Sequence, residues 1–170
     1  RRTPITKKKS KRGRYYLEDN FFKFWFKFIF PNKSQLETNN KLLLKNIDDS
    51  LDQYVSYIFE DICREMITIL YPQFGVGRWW FREHEIDIVG LNGEENNIIL
   101  SECKWTKNRI GFTLLNDLKE KAGKVRWNNK NREEKYLLFS KNGFTDDLRS
   151  YADDDENIEL YSLKDMEKYF

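Results

Sequence analysis

The sequence predicts an α/β protein in which a mixed β-sheet carries helices on its faces. Two observations lead there. Residues 76–104 hold three β-rich segments in succession, and residues 112–170 then alternate helical and strand patterns. An apolar content of 39%, with 16% aromatic residues, is enough to fill the core of one ordinary domain within 170 residues.

Taken in order, residues 1–14 have no apolar periodicity and read as a basic arm. Residues 17–30 read as a helix, in which Asn20, Lys23 and Lys27 leave a polar stripe on an otherwise aromatic cylinder. Glu18 and Asp19 suit its N-terminal dipole, and Pro31-Asn32 ends it. So broad an aromatic surface is expected to pack on the domain or on a neighbour; a base-stacking platform is the other reading. Residues 36–49 form a polar connection around the cluster Leu42 to Leu44. A second helix is expected over residues 52–70, with Val55, Ile58, Phe59, Ile62, Met66, Ile69 and Leu70 on one face and Pro72 closing it.

Strand character then takes over. Glu85-Ile86-Asp87-Ile88-Val89 alternates, Asn92-Gly93 supplies a turn, and residues 98–104 resume a strand. A helix is expected over residues 112–127 with Leu114, Leu115, Leu118 and Ala122 inward, and a buried strand over 136–140. A short helix at 146–151, a strand at 158–161 and a closing helix at 163–170 complete the chain. The expected organisation is a basic arm at 1–14, an aromatic helix and connector at 15–46, and the α/β domain at 47–170.

The net charge of +2 conceals an asymmetry. Eight of the 30 Lys and Arg fall within residues 1–14, which hold no acid, so 22 basic residues face 28 acidic ones in the remainder. The arm either meets phosphates, gaining affinity by counterion release, or is a solvated tail. The most apolar run, residues 21–30, is broken by Lys23 and Lys27 and is about half of the ~20 residues a spanning helix needs. With no signal peptide in view, a cytoplasmic protein without membrane partners is expected. Cys63 and Cys103 cannot build a disulfide framework, and no Cys/His cluster suggests zinc. The chain also begins without Met, and the arm reads as the end of a preceding segment.

Chemistry concentrates on two strands. Side chains alternate along a strand, so Glu102 and Lys104 project from one face while Ser101, Cys103 and Trp105 take the other. Asp87 lies one strand earlier, across the Asn92-Gly93 turn, where it can sit beside Glu102. Two neighbouring carboxylates repel unless a proton or cation relieves them, and a hard ion such as Mg²⁺ suits oxygen ligands. Lys104 can then orient a water or stabilise charge on a phosphate. The blander reading is a solvated Glu102–Lys104 pair on an edge strand with Asp87 unrelated.

The Glu60 helix, Asp87 within Glu85-Ile86-Asp87-Ile88-Val89, and Glu102-Cys103-Lys104-Trp105 together resemble the PD-(D/E)XK, restriction-endonuclease-like superfamily. More narrowly, the chain is similar to the C-terminal region of archaeal P-loop ATPases that carry a winged-helix segment. That similarity rests on strings such as Tyr16-Leu17-Glu18-Asp19-Asn20-Phe21-Phe22, Phe59-Glu60-Asp61-Ile62-Cys63-Arg64-Glu65, Gly77-Arg78-Trp79-Trp80 and Leu138-Phe139-Ser140-Lys141-Asn142-Gly143-Phe144-Thr145. The resemblance implies a restriction-endonuclease-like mixed sheet and a metal-dependent DNA endonuclease-like activity. Asp87, Glu102 and Glu60 would be ligands to Mg²⁺ or Mn²⁺, and Lys104 would act on the attacking water. It further implies that the arm is the last wing of a winged helix and that DNA and an ATPase portion are partners. No phosphate loop occurs here, so ATP hydrolysis is not expected of this chain. One departure is Ile86, where the superfamily's name has proline.

Other residues carry less. Glu60 also has a structural reading, as a partner for Arg64 four residues on, and Glu85 shares the strand face of Asp87. His84 reads as structural or surface, Trp79, Trp80 and Trp105 as core aromatics rather than stacking platforms, and Lys119, Lys121 and Lys124 as a groove lining or a solvated face. The alternative function is a non-cleaving module that keeps the nuclease fold and binds nucleic acid or docks a protein.

Overall fold

The computed structural model describes residues 4–6, 15–38 and 40–170. Apart from Pro4, Ile5 and Thr6, the basic arm lies outside the described residues. The domain is the mixed sheet expected, with five strands in the order β1-β2-β3-β4-β5: β1 (Gly75–Phe81), β2 (His84–Asn92), β3 (Asn97–Lys104), β4 (Glu133–Ser140) and β5 (Ile158–Ser162). The first three strands run antiparallel to their neighbours, and β3, β4 and β5 run parallel. Tight turns suffice for the former; the parallel pairs need crossovers, supplied by helices α4 (Phe112–Ala122) and α5 (Asp146–Asp153).

Helix α3 (Asn40–Leu70) covers one face of the sheet. Its Phe59, Cys63, Met66 and Ile67 recur at helical spacing and pack on Ile88, Ile99, Cys103, Leu137 and Phe139. Helices α4 and α5 cover the other face, where Leu115, Leu118 and Leu148 meet Trp79, Ile86, Val89, Leu100 and Leu138. Strand β3 is thus buried on both sides, which is why Ile98-Ile99-Leu100 is a continuous apolar run.

Several expectations are corrected. The polar connection at 36–49 is helical: α2 (Lys33–Thr38) and the start of α3 occupy it, so α3 begins at Asn40 and not at residue 52. Most described residues of its first turns are exposed, yet Leu43 is buried and neither Gly nor Pro interrupts the helix. Helix α3 runs through the division between residues 46 and 47. Pro31 does not end the helical path. Helix α1 (Asn20–Phe24) passes into a π-turn at Trp25–Ile29 and a 3-10 turn at Phe30–Asn32 that leads straight into α2. Proline is tolerated there because a first helical turn needs no amide hydrogen from it. Helix α4 stops at Ala122, five residues short of Trp127. Arg132 explains this: its guanidinium donates to the carbonyls of Ala122 (2.8 Å), Val125 (2.7 Å) and Trp127 (2.9 Å), holding a turn in place of further helix.

The aromatic segment is oriented differently from a simple core helix. Phe24 and Phe28 face Tyr54 of α3, with centroids 5.7 and 5.8 Å away, and the polar stripe also turns toward α3. Lys23 Nζ reaches Asp61 Oδ2 (3.3 Å), Lys27 Nζ donates to Gln53 Oε1 (3.1 Å) and Tyr54 Oη donates to the Asn20 carbonyl (2.8 Å). Phe21, Phe22, Phe26 and Phe30 face outward.

Phe139 is fully buried in the parallel half of the sheet and stacks on Tyr161 at 5.3 Å. Truncating Phe139→Ala leaves a cavity that cannot collapse, and should cost about 3–5 kcal/mol. A urea titration of both proteins reads this as a lower midpoint at unchanged slope.

Candidate active site

The site is built where β2 and β3 part. Pairing of β1 with β2 shifts register between Gly77 and Trp79: Gly77 opposes Val89 but Trp79 opposes Ile86, so β2 carries one extra residue there. Such a bulge turns consecutive side chains to one face. Ile86 and Val89 accordingly pack against α4, whereas Ile88 packs against α3. The β2–β3 ladder ends at Ile88 opposite Ser101. One step beyond, the Asp87 carboxylate replaces a backbone acceptor: its Oδ2 accepts from the Cys103 amide at 3.0 Å.

Glu102 sits on the α4 face of β3 and is only 2% exposed. Its Oε1 accepts from Lys121 Nζ at 2.6 Å, and its Oε2 lies 3.7 Å from Lys104 Nζ. Burial and the negative charge of Asp87 push the Glu102 carboxyl up to about 7, against the pull of Lys121 and Lys104. On the α3 side Glu60 pairs with Arg78 of β1, which also lies 3.7 Å from Glu85 Oε1. Burial and, again, Asp87 raise Glu60 to about 7, while Arg78 and Arg64 pull it down. Asp87 therefore acts electrostatically on Glu102 and on Glu60, at the junction of two ion-paired groups. Among the described residues no group of three or more His, Cys, Asp or Glu has the spacing to hold a metal ion by itself.

Two residues take site roles that the sequence does not assign: Arg78 stands there only within a string, and Lys121 reads as a groove lining or a solvated face. Arg78 interrupts an apolar strand as Glu102 does, which is a legible signal in retrospect. Lys121 stands three residues after Leu118, on the edge of the sheet-facing stripe of α4. Of the three lysines at 119, 121 and 124 it is the one paired with Glu102: Lys119, also on α4, lies over the rings of Tyr136 and Tyr151, and Lys124, in the turn beyond the helix, pairs with Glu120. Glu60 pairs with Arg78, and Arg64 donates to Asp61 at 2.5 Å. His84 Nε2 lies 3.2 Å from Glu83 Oε1. Trp79 and Trp80 are buried, and Trp105 packs on Phe59 at 5.3 Å while donating to Asp52 at 3.1 Å. Cys63 and Cys103 are buried free thiols in the α3-side core.

A five-stranded mixed sheet with helices on both faces makes this an α/β domain, and acidic and basic side chains meet at the end of its central strand. Residues 25–136, more than half of the chain, match the DUF234 family, described as "Archaea bacterial proteins of unknown function"; the chain belongs to that family. An uncharacterized protein of Methanocaldococcus jannaschii, MJECL04, is 36% identical over 132 residues, covering 72% of this chain and 30% of that protein. The chain thus spans less than a third of the length of the relative it matches. A repair endonuclease from Pyrococcus abyssi of solved structure is similar with a TM-score of 0.39 at 16% identity, over 61% of this chain and 46% of that one, too distant a likeness to build on. Among the described residues no helix is long and apolar enough to cross a membrane.

The raised carboxyls have a thermodynamic consequence. Glu60 and Glu102 bind protons more tightly in the folded protein than at the ordinary glutamate value of 4.5. Their contribution to stability is therefore fully present below about pH 4.5 and lost as pH rises through about 7. In chelator, urea unfolding should show a loss on the order of a few kcal/mol between pH 5 and 8. Glu60→Gln and Glu102→Gln should each flatten that slope, and a slope unchanged in both variants would contradict the assignment.

Proposed function

We propose that the chain carries a metal-dependent, endonuclease-like domain of the PD-(D/E)XK type that hydrolyses phosphodiester bonds in DNA. The observation that carries this reading is the meeting of Asp87, Glu102 and Lys104 where β2 and β3 part. A buried Glu102 raised by the charge of a half-buried Asp87 is a donor pair suited to a hard cation, and Mg²⁺ or Mn²⁺ needs only one or two carboxylates beside water and phosphate oxygens. Asp87 and Glu102 would hold the ion, with Glu60 as a further ligand or water contact. When bound, such an ion supplies positive charge to a phosphate oxygen and lowers the pKa of water.

The chain's own groups do the rest. The Cys103 amide fixes Asp87, and Lys121 fixes Glu102. Lys104, whose side chain is 45% exposed, presents its amine to an approaching phosphate, where it orients the attacking water or stabilises developing charge. The basic arm would add phosphate contacts. In this reading an ATPase portion of the same or a related chain regulates the domain in the cytoplasm, in keeping with the greater length of the matched relative.

The test is nicking of supercoiled plasmid with Mg²⁺ or Mn²⁺. Asp87→Asn, Glu102→Gln and Lys104→Ala should each slow it by on the order of 100-fold or more. Undiminished nicking by the Asp87 and Glu102 variants would remove these residues from the active site.

One observation favours a second reading, a non-cleaving module that keeps the fold: Lys121 already neutralises Glu102. Calorimetric titration separates the two. Nuclease chemistry requires Mn²⁺ binding that Asp87→Asn abolishes, whereas a docking or binding module shows no metal binding that depends on Asp87.

A further inference from the structure

On the α3 side of the sheet lies a cavity of about 430 Å³, within the range of roughly 300–1,000 Å³ typical of ligand pockets. Three parts of the chain wall it. Tyr15, Tyr16 and Leu17 come from the segment before α1, Lys23 and Lys27 from α1 and the π-turn, and Tyr54, Tyr57 and Asp61 from α3. Arg78 of β1 closes it, and this is the guanidinium that holds Glu60. The cavity and the carboxylate site therefore share a wall.

Its composition is that of a stacking site with phosphate contacts. Tyr15 is 83% exposed and Tyr57 49%, so both rings are available to a ligand. The Arg78 guanidinium lies 5.7 Å from the Tyr16 ring centroid, close enough to polarise it. Lys23 and Lys27, four residues apart, reach the same side; Lys23 is shared with Asp61, whereas Lys27 donates to the neutral amide of Gln53. Ring faces flanked by cations favour a flat, electron-rich group attached to an anion. Bases inside a duplex present edges to a protein and keep their faces stacked, so a site that offers ring faces accepts a base only when it is unpaired.

We infer that this cavity binds an unpaired nucleotide of a single strand, its base against Tyr15 and Tyr57 and its backbone along Lys23, Lys27 and Arg78. The inference deepens the proposed nuclease function, on which it rests for the meaning of the neighbouring site: the substrate carries a single-stranded segment next to the phosphodiester that is cut. Asn20, Lys23 and Lys27, a stripe that looks like a solvated helix face, then form part of a binding wall.

Binding is measured without cleavage, in chelator, by fluorescence anisotropy of a labelled oligothymidylate of about 15 nucleotides, beside a blunt duplex of the same length. Tyr15→Ala combined with Tyr57→Ala should weaken single-strand binding about tenfold or more, as loss of base stacking does, and change duplex binding less than about twofold. Tyr57→Trp, which keeps a stacking face, should bind as the unaltered protein does. Circular dichroism melting of each variant confirms that the fold is retained. Equal binding of an oligouridylate would extend the pocket to RNA and uphold it. An unaltered protein that binds no oligothymidylate, or a double tyrosine variant that binds it undiminished, overturns the proposal. Plasmid nicking separates the two ideas: tyrosine-dependent binding by an unaltered protein that does not nick, or by an Asp87→Asn variant that nicks undiminished, leaves the pocket standing and removes the nuclease reading of the carboxylates.

Discussion

The hydrogen bond from the Cys103 amide to the Asp87 carboxylate is the joint around which this domain is arranged. It lies where backbone pairing between β2 and β3 stops, so one side chain does the work of a peptide carbonyl and keeps two diverging strands at a defined separation. Because Asp87 is an anion, the same contact brings a negative charge between the two faces of the sheet. Glu102, buried on one side, and Glu60, half-buried on the other, both feel it. A neutral acceptor at position 87 could close the ladder but would not set up that field.

The charges around this joint alternate. Glu85, Arg78 and Glu60 form one ion-paired run beside it, and Glu102 with Lys104 and Lys121 forms another. Isolated buried carboxylates would be strongly destabilising; placed in such runs, each is partly compensated while remaining costly to ionise. Arg78 is the element common to this network and to the tyrosine-lined cavity, and so couples the electrostatics of the two.

Much of this was legible in the sequence, for identifiable reasons. Alternation in β3 placed Glu102 and Lys104 on one face because strand parity is a local property, and they do lie together. Asn92-Gly93 marked a turn that is stabilised by the Asn92 carboxamide, which accepts from the amides of Glu94 and Glu95. The bulge at Asp87 was not legible, since it is defined by how β2 pairs with β1. Nor were the Lys121–Glu102 and Arg78–Glu60 pairs, which join residues far apart in the chain. The early start of α3 is hard to read from sequence because a polar helix and a polar connection share a composition; they differ only in the absence of a breaker.

That long helix has a mechanical meaning. Helix α3 contains no glycine or proline from Asn40 to Leu70, so it lacks the usual places at which a helix bends. At ~1.5 Å per residue its 31 residues form a shaft on the order of 46 Å long. One end stands clear of the sheet, and Glu60 is mounted further along it, past the seat of the aromatic segment on Tyr54. The turn that seats the aromatic segment and the turn that carries Glu60 therefore belong to one unbroken rod, and their spacing along it is set by the helix itself.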